Sequence, residues 1–332
     1  MVVRAPARLH LGFLDPGASL GRRFGSLGLV IDEFETVVEL ARADRDRLEA
    51  GPEGDPSELE RAADHLRTLR REAGLAQPLS LRLHRSLPPH AGFGSGTQLA
   101  LAVGRAFAAL HALALPSERL AHWLGRGLRS GVGIAGFERG GLLLDGGPGA
   151  PGEGDSVAPL LARLHFPDAW RVLLVLEPGQ AGLSGAEERR AIASLPPFPR
   201  DAAAEICHRA LMQILPGAAA GQLEPFAQGL TRMQQLLGGH FAPAQQGSAW
   251  TSPRVGRLLE WIGARAPAAI GQSSWGPTGF AVLPGAAEAQ ALVRQAAEAG
   301  LVEPGLRLHV VRARNRGADI ELRPAERALA RA

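Results

Sequence analysis

A glycine-rich stretch with two hydroxyl side chains lies directly before the most apolar part of the sequence. Residues 88–98 contain glycine at every second position from 92 to 96, and residues 98–113 are almost continuously apolar and rich in alanine. Glycines at this spacing let backbone amides converge, and a helix N-terminus adds about half a positive charge. The alternative is a tight turn whose glycines only permit packing. We predict a phosphate or pyrophosphate site, with the candidate residues Gly92, Gly94, Ser95, Gly96, Thr97 and Gln98.

A second polar loop lies closer to the C-terminus, between two short apolar stretches. Residues 271–280 combine neighbouring hydroxyls, glycines and one tryptophan. Main-chain amides and hydroxyls suit a polar ligand, and an indole in such a loop can form the wall of a site for an aromatic substrate. A surface hairpin turn is the alternative. We interpret the loop as substrate-binding, with the candidate residues Gln272, Ser273, Ser274, Trp275 and Thr278.

Charged residues surround the end of the first predicted strand. Arg8 and His10 lie within that strand, and Asp15 and Arg22 lie in the glycine-rich loop after it. Arginine can bind phosphate or carboxylate through two parallel hydrogen bonds, and a nearby aspartate can orient it or bind a metal. These four residues are candidate catalytic residues. The alternative is a solvated, salt-bridged loop.

A third glycine-rich segment, residues 125–141, carries Arg129 and Ser130 as candidate substrate-binding residues. The carboxylates nearest to them are Glu138 and Asp145. Either can act as a general base or a metal ligand, and either can equally be structural. We retain Glu138 as a candidate catalytic residue. The histidines do not have metal-ligand spacing, so the sequence leaves any metal ligands unknown.

The composition narrows the chemistry that the chain can perform. Of its 332 residues 45% are hydrophobic and 21% are charged, which is typical of a globular protein. There is no lysine, which excludes Schiff-base catalysis, attachment of pyridoxal phosphate and a P-loop lysine. Any anionic ligand must therefore be bound by arginine, histidine or backbone amides. The net charge is only +3 and no basic run contains interleaved aromatic residues, so we expect no nucleic-acid binding.

Nothing in the sequence predicts export or membrane insertion. No apolar run approaches the roughly 20 residues that cross a bilayer, and the N-terminus lacks a signal-peptide pattern. The single cysteine, Cys207, excludes an internal disulfide and a cysteine-rich metal site. We predict a cytoplasmic protein that acts on small molecules and binds no membrane. A homodimer is left open.

Apolar periodicity predicts two domains, residues 1–155 and 156–332, joined by a polar Gly/Pro segment at 148–155. The first alternates strands and helices, and the second ends in a small α+β pattern. Strands are predicted at 2–13, 27–40, 79–87, 141–145, 170–177, 268–272, 279–283 and 307–311. Helices are predicted at 56–72, 98–113, 117–125, 186–195, 202–215, 222–237, 255–264 and 286–299.

The order of these motifs resembles that of the GHMP small-molecule kinases. The shared features are the strand at residues 5–9, the glycine loop before an alanine-rich helix, and the late Gly/Ser loop. The kinases often have lysine where Arg8 stands, and several have a catalytic aspartate in a Ser-Gly-x-Asp motif where this chain has Gly133. Without that acid, phosphoryl transfer loses its base and metal partner.

The details resemble the β-ribofuranosylaminobenzene 5′-phosphate synthase family. Its features occur in order along nearly the whole chain: the Arg8–His10 tripeptide, Asp15 seven residues before Arg22, and the segments 94–100, 125–131, 182–185 and 272–279. The resemblance implies a GHMP-kinase-like, two-domain α+β fold. Its N-terminal α/β domain would keep the kinase-type glycine loop, and its C-terminal domain would be ferredoxin-like α+β.

The resemblance also implies a reaction. Such enzymes join 4-aminobenzoate or 4-hydroxybenzoate to phosphoribosyl pyrophosphate, with release of carbon dioxide and pyrophosphate, early in methanopterin synthesis. It implies Mg²⁺ together with phosphoribosyl pyrophosphate, and no use of ATP. Two alternatives stay open: an ATP-dependent GHMP kinase that uses Glu138 or Asp145, and a non-catalytic sugar-phosphate-binding protein.

Overall fold

The computed structural model describes residues 1–149, 157–180, 182 and 185–322, without the side chains of residues 185–189. Two sequence predictions lie partly outside these residues: the linker at 148–155 and the segment at 182–185. The strands are β1 (Val2–Asp15), β2 (Phe24–Arg42), β3 (Arg47–Glu53), β4 (Leu79–Arg85), β5 (Leu142–Asp145), β6 (Leu160–Leu164), β7 (Arg171–Leu176), β8 (Ala269–Gln272), β9 (Gly279–Leu283), β10 (Arg307–Val311) and β11 (Asp319–Glu321).

Most helices match a predicted apolar stripe. The predicted helix 202–215 is interrupted by a π-helical turn, Ala210–Ile214. A 3₁₀ turn, Ala242–Gln245, follows the helix that ends at Phe241. The helices are α1 (Pro56–Ala73), α2 (Ser95–Leu110), α3 (Ser117–Trp123), α4 (Val132–Arg139), α5 (Gly185–Ser194), α6 (Arg200–Arg209), α7 (Leu215–Ala220), α8 (Leu223–Phe241), α9 (Pro253–Gly263) and α10 (Ala286–Glu298).

The first sheet is built around the long antiparallel hairpin of β1 and β2. The first half of β2 pairs with β5, and β5 pairs with β6. The second half of β2 pairs with β4, which β3 joins in parallel. At the outer edge β11 pairs with β1. Two strands that follow residue 155, β6 and β11, thus belong to this sheet, and the domain boundary at that residue remains a prediction.

Strand β1 is buried along most of its length, which explains its nearly continuous apolar sequence. Its first half packs with α1 and α2, where Ala5 belongs to the same core cluster as Leu99. Its second half packs with α6 and α8, where Leu9 and Leu11 belong to another cluster. Arg8 and His10, which lie next to Leu9 in this half of the strand, each line one of the cavities described below.

The second sheet is antiparallel, with the order β10-β7-β9-β8. Helices α9 and α10 cover one face with the cluster that contains Val175, Leu259 and Leu292. The other face packs with α8 and β1 in the cluster of Leu174 and Phe280. The two sheets and the helices packed on them confirm the α+β class expected from the sequence.

Five of the described elements were missed by the periodicity: β3, β6, β11, α4 and α7. Helix α4 lies in the third glycine-rich segment, residues 125–141, where no helix was predicted. Its glycines permit close packing of a helix and do not form a loop. A Cβ at Gly136 would lie 2.8 Å from Cγ2 of Val30 on β2, so only glycine lets the helix approach the sheet this closely. Strand β3 is almost entirely exposed and contains Gly51 and Pro52; its pairing with β4, and not its own propensity, makes it a strand.

Candidate active site

The glycine loop opens a buried helix, as predicted. Helix α2 begins at Ser95, and its N-cap, Gly94, has φ +72°, a left-handed conformation that favours glycine. No side chain caps this helix end, although the amides of Thr97 and Gln98 both reach the Gly94 carbonyl oxygen. A Cβ on Gly94 would lie 3.0 Å from Nε of Arg8, so the arginine lies directly against the loop. The sequence thus creates a helix N-terminus faced by a cation.

A cavity of about 320 Å³ lies over this loop, and we call it the glycine-loop cavity. Its charged lining residues among those described are three arginines: Arg8, Arg61 and Arg126. A Cβ on Gly96 would lie 2.7 Å from Nη2 of Arg61 and 3.4 Å from Nη1 of Arg126, so both guanidinium groups lie above the loop. No carboxylate is among the described residues that line it. Such a cavity suits a polyanion.

The guanidinium groups of Arg61 and Arg126 lie close enough to repel each other. Burial lowers the pKa of Arg126, the charge of Arg61 lowers it further, and Glu58 opposes both effects. Burial, followed by the charges of Arg126 and Arg61, also lowers the pKa of His65 to about 4. Glu58, which is 2% exposed, forms an ion pair with Arg61. One carboxylate thus faces two arginines, and an anionic ligand would offset the remaining charge.

Sequence reasoning missed Arg61, although a signal was present. Helix α1 buries Glu58 in the same stripe as Ala62, Leu66 and Leu69. A carboxylate on the apolar face of a helix requires a buried partner, and Arg61 is the arginine at the i+3 position. That pairing turns Arg61 towards α2 and the loop.

Substitution Arg61→Gln should weaken pyrophosphate binding by about 10- to 100-fold, because a charge-assisted hydrogen bond contributes about 1.5–3 kcal/mol. Glutamine can still donate to Glu58, so the melting temperature should change little. Isothermal titration with pyrophosphate measures the effect. Arg67→Gln is the matched control, since Arg67 lies on the same helix with a side chain that is 72% exposed. Equal affinities for the two variants would contradict the assignment.

The late polar loop meets the glycine loop directly. The hydroxyl of Ser273, which is fully buried, donates to the Gly92 carbonyl at 2.6 Å and accepts from the His10 amide at 2.9 Å. The Ser274 amide donates to the His10 carbonyl oxygen at 3.2 Å. Ser274 and Trp275 line the glycine-loop cavity. Two of the predicted substrate-binding residues therefore reach the cavity, and Ser273 joins the loops.

The other predicted residues of this loop brace it. The amide of Ser273 donates to the Thr278 carbonyl oxygen, and Thr278 is 1% exposed. The side chain of Gln272 accepts from the Thr251 amide at 2.8 Å and donates to its own loop at the Ser274 carbonyl oxygen. Likewise Gln98, although predicted for phosphate, is fully buried and donates to the Gly133 carbonyl. These contacts position the two loops. Gln98, Gln272 and Thr278 do not line the glycine-loop cavity.

His10 lies between two arginines. It is 3% exposed, and its Nε2 has no hydrogen-bond partner among the described residues. Burial lowers its pKa well below the ordinary value, and the charges of Arg8 and Arg129 lower it further. The imidazole lines a small cavity of about 40 Å³ together with Phe241 and Trp275. His10 is therefore neutral near pH 7.

Asp15 and Arg22 order the loop between β1 and β2. The Asp15 carboxylate accepts from the amides of Gly17 and Ser19 at 3.0 and 2.7 Å, and Arg22 donates to the Gly147 carbonyl oxygen at 2.8 Å. Neither side chain lines a described cavity. Their loop instead contributes its neighbours to a cavity of about 630 Å³, which we call the aromatic cavity and define by Arg23, Phe24, Arg129, Phe198, His240 and Phe241.

The structure does not bring Glu138, Asp145 or Ser130 to the glycine-loop cavity. Glu138 lies 4.0 Å from Arg105 of α2. Asp145 is fully buried at the N-terminus of α4, where it accepts from backbone amides and from the Ser130 hydroxyl. The carboxylates that a kinase reaction would need are thus absent from the described lining of the cavity. Arg129, predicted alongside Ser130, lines the aromatic cavity instead.

Comparison with known proteins identifies the family. The model of the GHMP kinases N terminal domain matches residues 59–141, and that of the GHMP kinases C terminal domain matches residues 214–301. The β-ribofuranosylphenol 5′-phosphate synthase of Archaeoglobus fulgidus is 33% identical over 96% of this chain and 99% of its own length. That of Methanothermobacter thermautotrophicus is 30% identical, over 96% and 98%. The chain belongs to the β-ribofuranosylphenol 5′-phosphate synthase family.

Solved structures show the fold that this synthase family shares with kinases. Phosphomevalonate kinase of Streptococcus pneumoniae superimposes with a TM-score of 0.68 at 16% identity, over 94% of this chain and 99% of its own. Homoserine kinase of Cytophaga hutchinsonii gives 0.67 at 15% identity, over 96% of each chain. None of the helices described for this synthase family member is long and apolar enough to span a membrane.

Gly133 stands where the resemblance to the kinases predicts a catalytic aspartate in several of them. It lies in the first turn of α4, and a Cβ there would lie 3.1 Å from Cγ2 of Thr97 and 3.8 Å from Nε of Arg8. An aspartate at this position would place a carboxylate beside the glycine loop and pair with Arg8. With glycine, this position of α4 supplies no carboxylate, and Arg8 lines the glycine-loop cavity.

Proposed function

We propose that this chain joins phosphoribosyl pyrophosphate to a 4-substituted benzoate, releasing pyrophosphate and carbon dioxide, in tetrahydromethanopterin biosynthesis. The relatives are named as synthases of β-ribofuranosylphenol 5′-phosphate, a compound with a ribofuranosyl phosphate and a phenol ring. That name favours 4-hydroxybenzoate over 4-aminobenzoate as the acceptor. A cytoplasmic location and a homodimer stay predictions.

The glycine-loop cavity is the observation that most supports the proposal. A pyrophosphate leaving group gains negative charge as its bond to the sugar breaks, and preorganised donors stabilise such charge best. Arg8, Arg61 and Arg126 supply three guanidinium groups above the N-terminus of α2. The cavity has no described aliphatic side chain, and Trp275 is its one described aromatic ring apart from His90. It therefore fits a compact polyanion better than a nucleoside.

The proposed reaction needs positioning more than covalent chemistry. The bond from C1 of the sugar to the pyrophosphate oxygen breaks, and the electron pair leaves with pyrophosphate. The ring carbon that bears the carboxylate then forms a bond to the cationic C1. The bond to the carboxylate breaks, its electron pair restores the aromatic ring, and carbon dioxide leaves. The protein's contribution is to hold both partners and exclude water.

The requirement for Mg²⁺ remains a proposal. The described residues contain no group of three or more His, Cys, Asp or Glu side chains placed to hold a metal ion. The neutral side-chain oxygens in the described lining of the glycine-loop cavity are the hydroxyls of Ser95, Thr97 and Ser274. A magnesium ion would therefore arrive with phosphoribosyl pyrophosphate and be held mainly by its phosphate oxygens.

The purified chain should release labelled carbon dioxide from carboxyl-labelled 4-hydroxybenzoate only when phosphoribosyl pyrophosphate is present. The assay is repeated with 4-aminobenzoate, and the ratio of the two rates identifies the preferred acceptor. Samples with ATP and small alcohols should show no phosphoryl transfer. No label release from either acid would overturn the proposal, and ATP-dependent phosphorylation would favour the kinase alternative.

A further inference from the structure

The aromatic cavity is the largest of those described, and its chemistry differs from that of the glycine-loop cavity. Its volume of about 630 Å³ lies in the range typical of small-molecule sites. Phe24, Phe198 and Phe241 supply aromatic walls, and leucine, isoleucine, alanine and proline residues supply most of the remainder. This lining would favour a flat apolar ligand over a sugar or a second phosphate group.

The charged side chains described for the lining of this cavity are arginines. Arg23 and Arg129 line it, and no carboxylate is among its described lining residues. His240, which contacts Phe198 edge-on at 4.9 Å between ring centroids, also lines it. Burial lowers the pKa of His240, so its ring is neutral near pH 7. The cavity therefore combines apolar walls with two cations, which fits an aromatic anion.

Aromatic contacts connect this cavity to the glycine-loop cavity. The rings of His10, Phe13 and Phe24 follow one another, with centroids 4.5 and 5.0 Å apart. On the other wall Phe241 contacts Trp275 at 4.6 Å, and Trp275 lines the glycine-loop cavity. The charges of Arg8 and Arg129 both act on His10. His10 thus lies between the two cavities, each of which has an arginine near it.

We propose that the aromatic cavity binds the aromatic carboxylate acceptor, with its ring between Phe24, Phe198 and Phe241 and its carboxylate at Arg129 and Arg23. The identity of this acceptor rests on the function proposed above. The charge of Arg129 acts on His10, which lies towards the glycine-loop cavity, so a carboxylate at Arg129 would keep the ring carbon that bears it near His10. The 4-substituent then points towards His240, whose neutral ring can accept a hydrogen bond from a hydroxyl or an amine.

The proposed position has a kinetic consequence. The carboxylate carries a full negative charge in the bound acceptor and leaves as neutral carbon dioxide, so Arg129 attracts the ground state more than the later stages of reaction. Removing that attraction should raise the acceptor KM without lowering kcat, because only interactions stronger in the transition state increase kcat. A residue with a purely structural role would not give this split.

The test uses the full chain and its Arg129→Gln and Phe198→Ala variants, with Arg45→Gln as the control, since Arg45 is exposed in the turn between β2 and β3. Isothermal titration measures the Kd of 4-hydroxybenzoate, and of uncharged 4-hydroxybenzyl alcohol, with and without pyrophosphate. We expect Arg129→Gln to weaken benzoate binding by about 10- to 100-fold and to leave the alcohol unaffected. Phe198→Ala should weaken both ligands. Pyrophosphate should not compete with either.

Several results would overturn this inference. The first two are competition of pyrophosphate with 4-hydroxybenzoate and displacement of 4-hydroxybenzoate by ribose 5-phosphate. The third is an unchanged Kd and KM for 4-hydroxybenzoate in both Arg129→Gln and Phe198→Ala. The fourth is the lack of saturable 4-hydroxybenzoate binding with or without pyrophosphate. Because binding is measured without turnover, benzoate binding in this cavity can be found even if the proposed reaction fails. Conversely, if both variants released carbon dioxide with an unchanged benzoate KM, the proposed reaction would be supported, and the binding of the acceptor in the aromatic cavity would be contradicted.

Discussion

Replacing Gly133 with aspartate should reduce synthase turnover by about 100-fold or more while the chain stays folded. The new carboxylate would lie beside Arg8 and the glycine loop, where a Cβ is 3.8 Å from the arginine Nε. It would pair with the cation that the pyrophosphate needs and repel the pyrophosphate itself, and like charges brought together this closely cost several kcal/mol. An aspartate in the first turn of a helix is otherwise favourable, so stability should be preserved.

Gly133→Ala separates this charge effect from the effect of the added carbon. The alanine Cβ would meet Cγ2 of Thr97 at 3.1 Å, which requires a shift of a few tenths of an ångström. We expect this variant to keep most of its turnover and its pyrophosphate affinity. Steady-state kinetics and pyrophosphate titration on both variants, with melting temperatures as the check on folding, measure the difference. A Gly133→Asp variant that binds pyrophosphate as tightly as Gly133→Ala would refute the role given to Arg8.

Asp145→Ala should destabilise the fold by about 3–5 kcal/mol, because it leaves several buried donors without an acceptor. The carboxylate is fully buried and ties β2 to the N-terminus of α4. Its five donors lie within 2.7–3.1 Å and are the amides of Ser26, Gly131, Val132 and Gly147 and the hydroxyl of Ser130.

Denaturant unfolding of Asp145→Ala, Asp145→Asn and Asp168→Ala measures this effect. Asparagine keeps one oxygen acceptor, so the free energy of unfolding of Asp145→Asn should lie between those of the unsubstituted chain and Asp145→Ala. Asp168 is the control because its side chain is 79% exposed, and its removal should change stability by no more than about 0.5 kcal/mol. If Asp145→Ala unfolded at the same denaturant concentration as the control, the carboxylate would not hold α4 in place.

The two polar loops could be predicted from the sequence because their signals are local. Glycine spacing and an apolar stretch place a helix after Gly94, and short apolar runs on both sides of Ser273 predict flanking strands, of which β9 has the predicted bounds. That Ser274 and Trp275 line the cavity over the glycine loop depends on the meeting of two distant loops, which the sequence analysis did not predict. Local sequence was sufficient wherever the backbone itself forms the site.

The side chains that come from separate elements could not be placed in this way. The apolar stripe of α1 indicates that Arg61 pairs with Glu58, but only the packing of α1 beside α2 puts the Arg61 guanidinium above Gly96. Asp15 and Arg22 form hydrogen bonds within and beside their own loop, and their role as catalytic residues stays a prediction. Charge and glycine content alone do not show whether such a loop binds a ligand or only orders its own backbone.

The hydroxyl of Ser273 has a consequence for the order of folding. It links the Gly92 carbonyl and the His10 amide, which lie 181 and 263 residues away along the chain. During synthesis on the ribosome, helix α2 can form long before Ser273 emerges, but the glycine loop acquires this brace only after the second sheet is made. Contacts between such distant residues form late, because the intervening chain must first lose its freedom. A nascent N-terminal half therefore carries the phosphate-loop sequence without a finished site, and we expect the chain to acquire affinity for its substrates only near the end of translation.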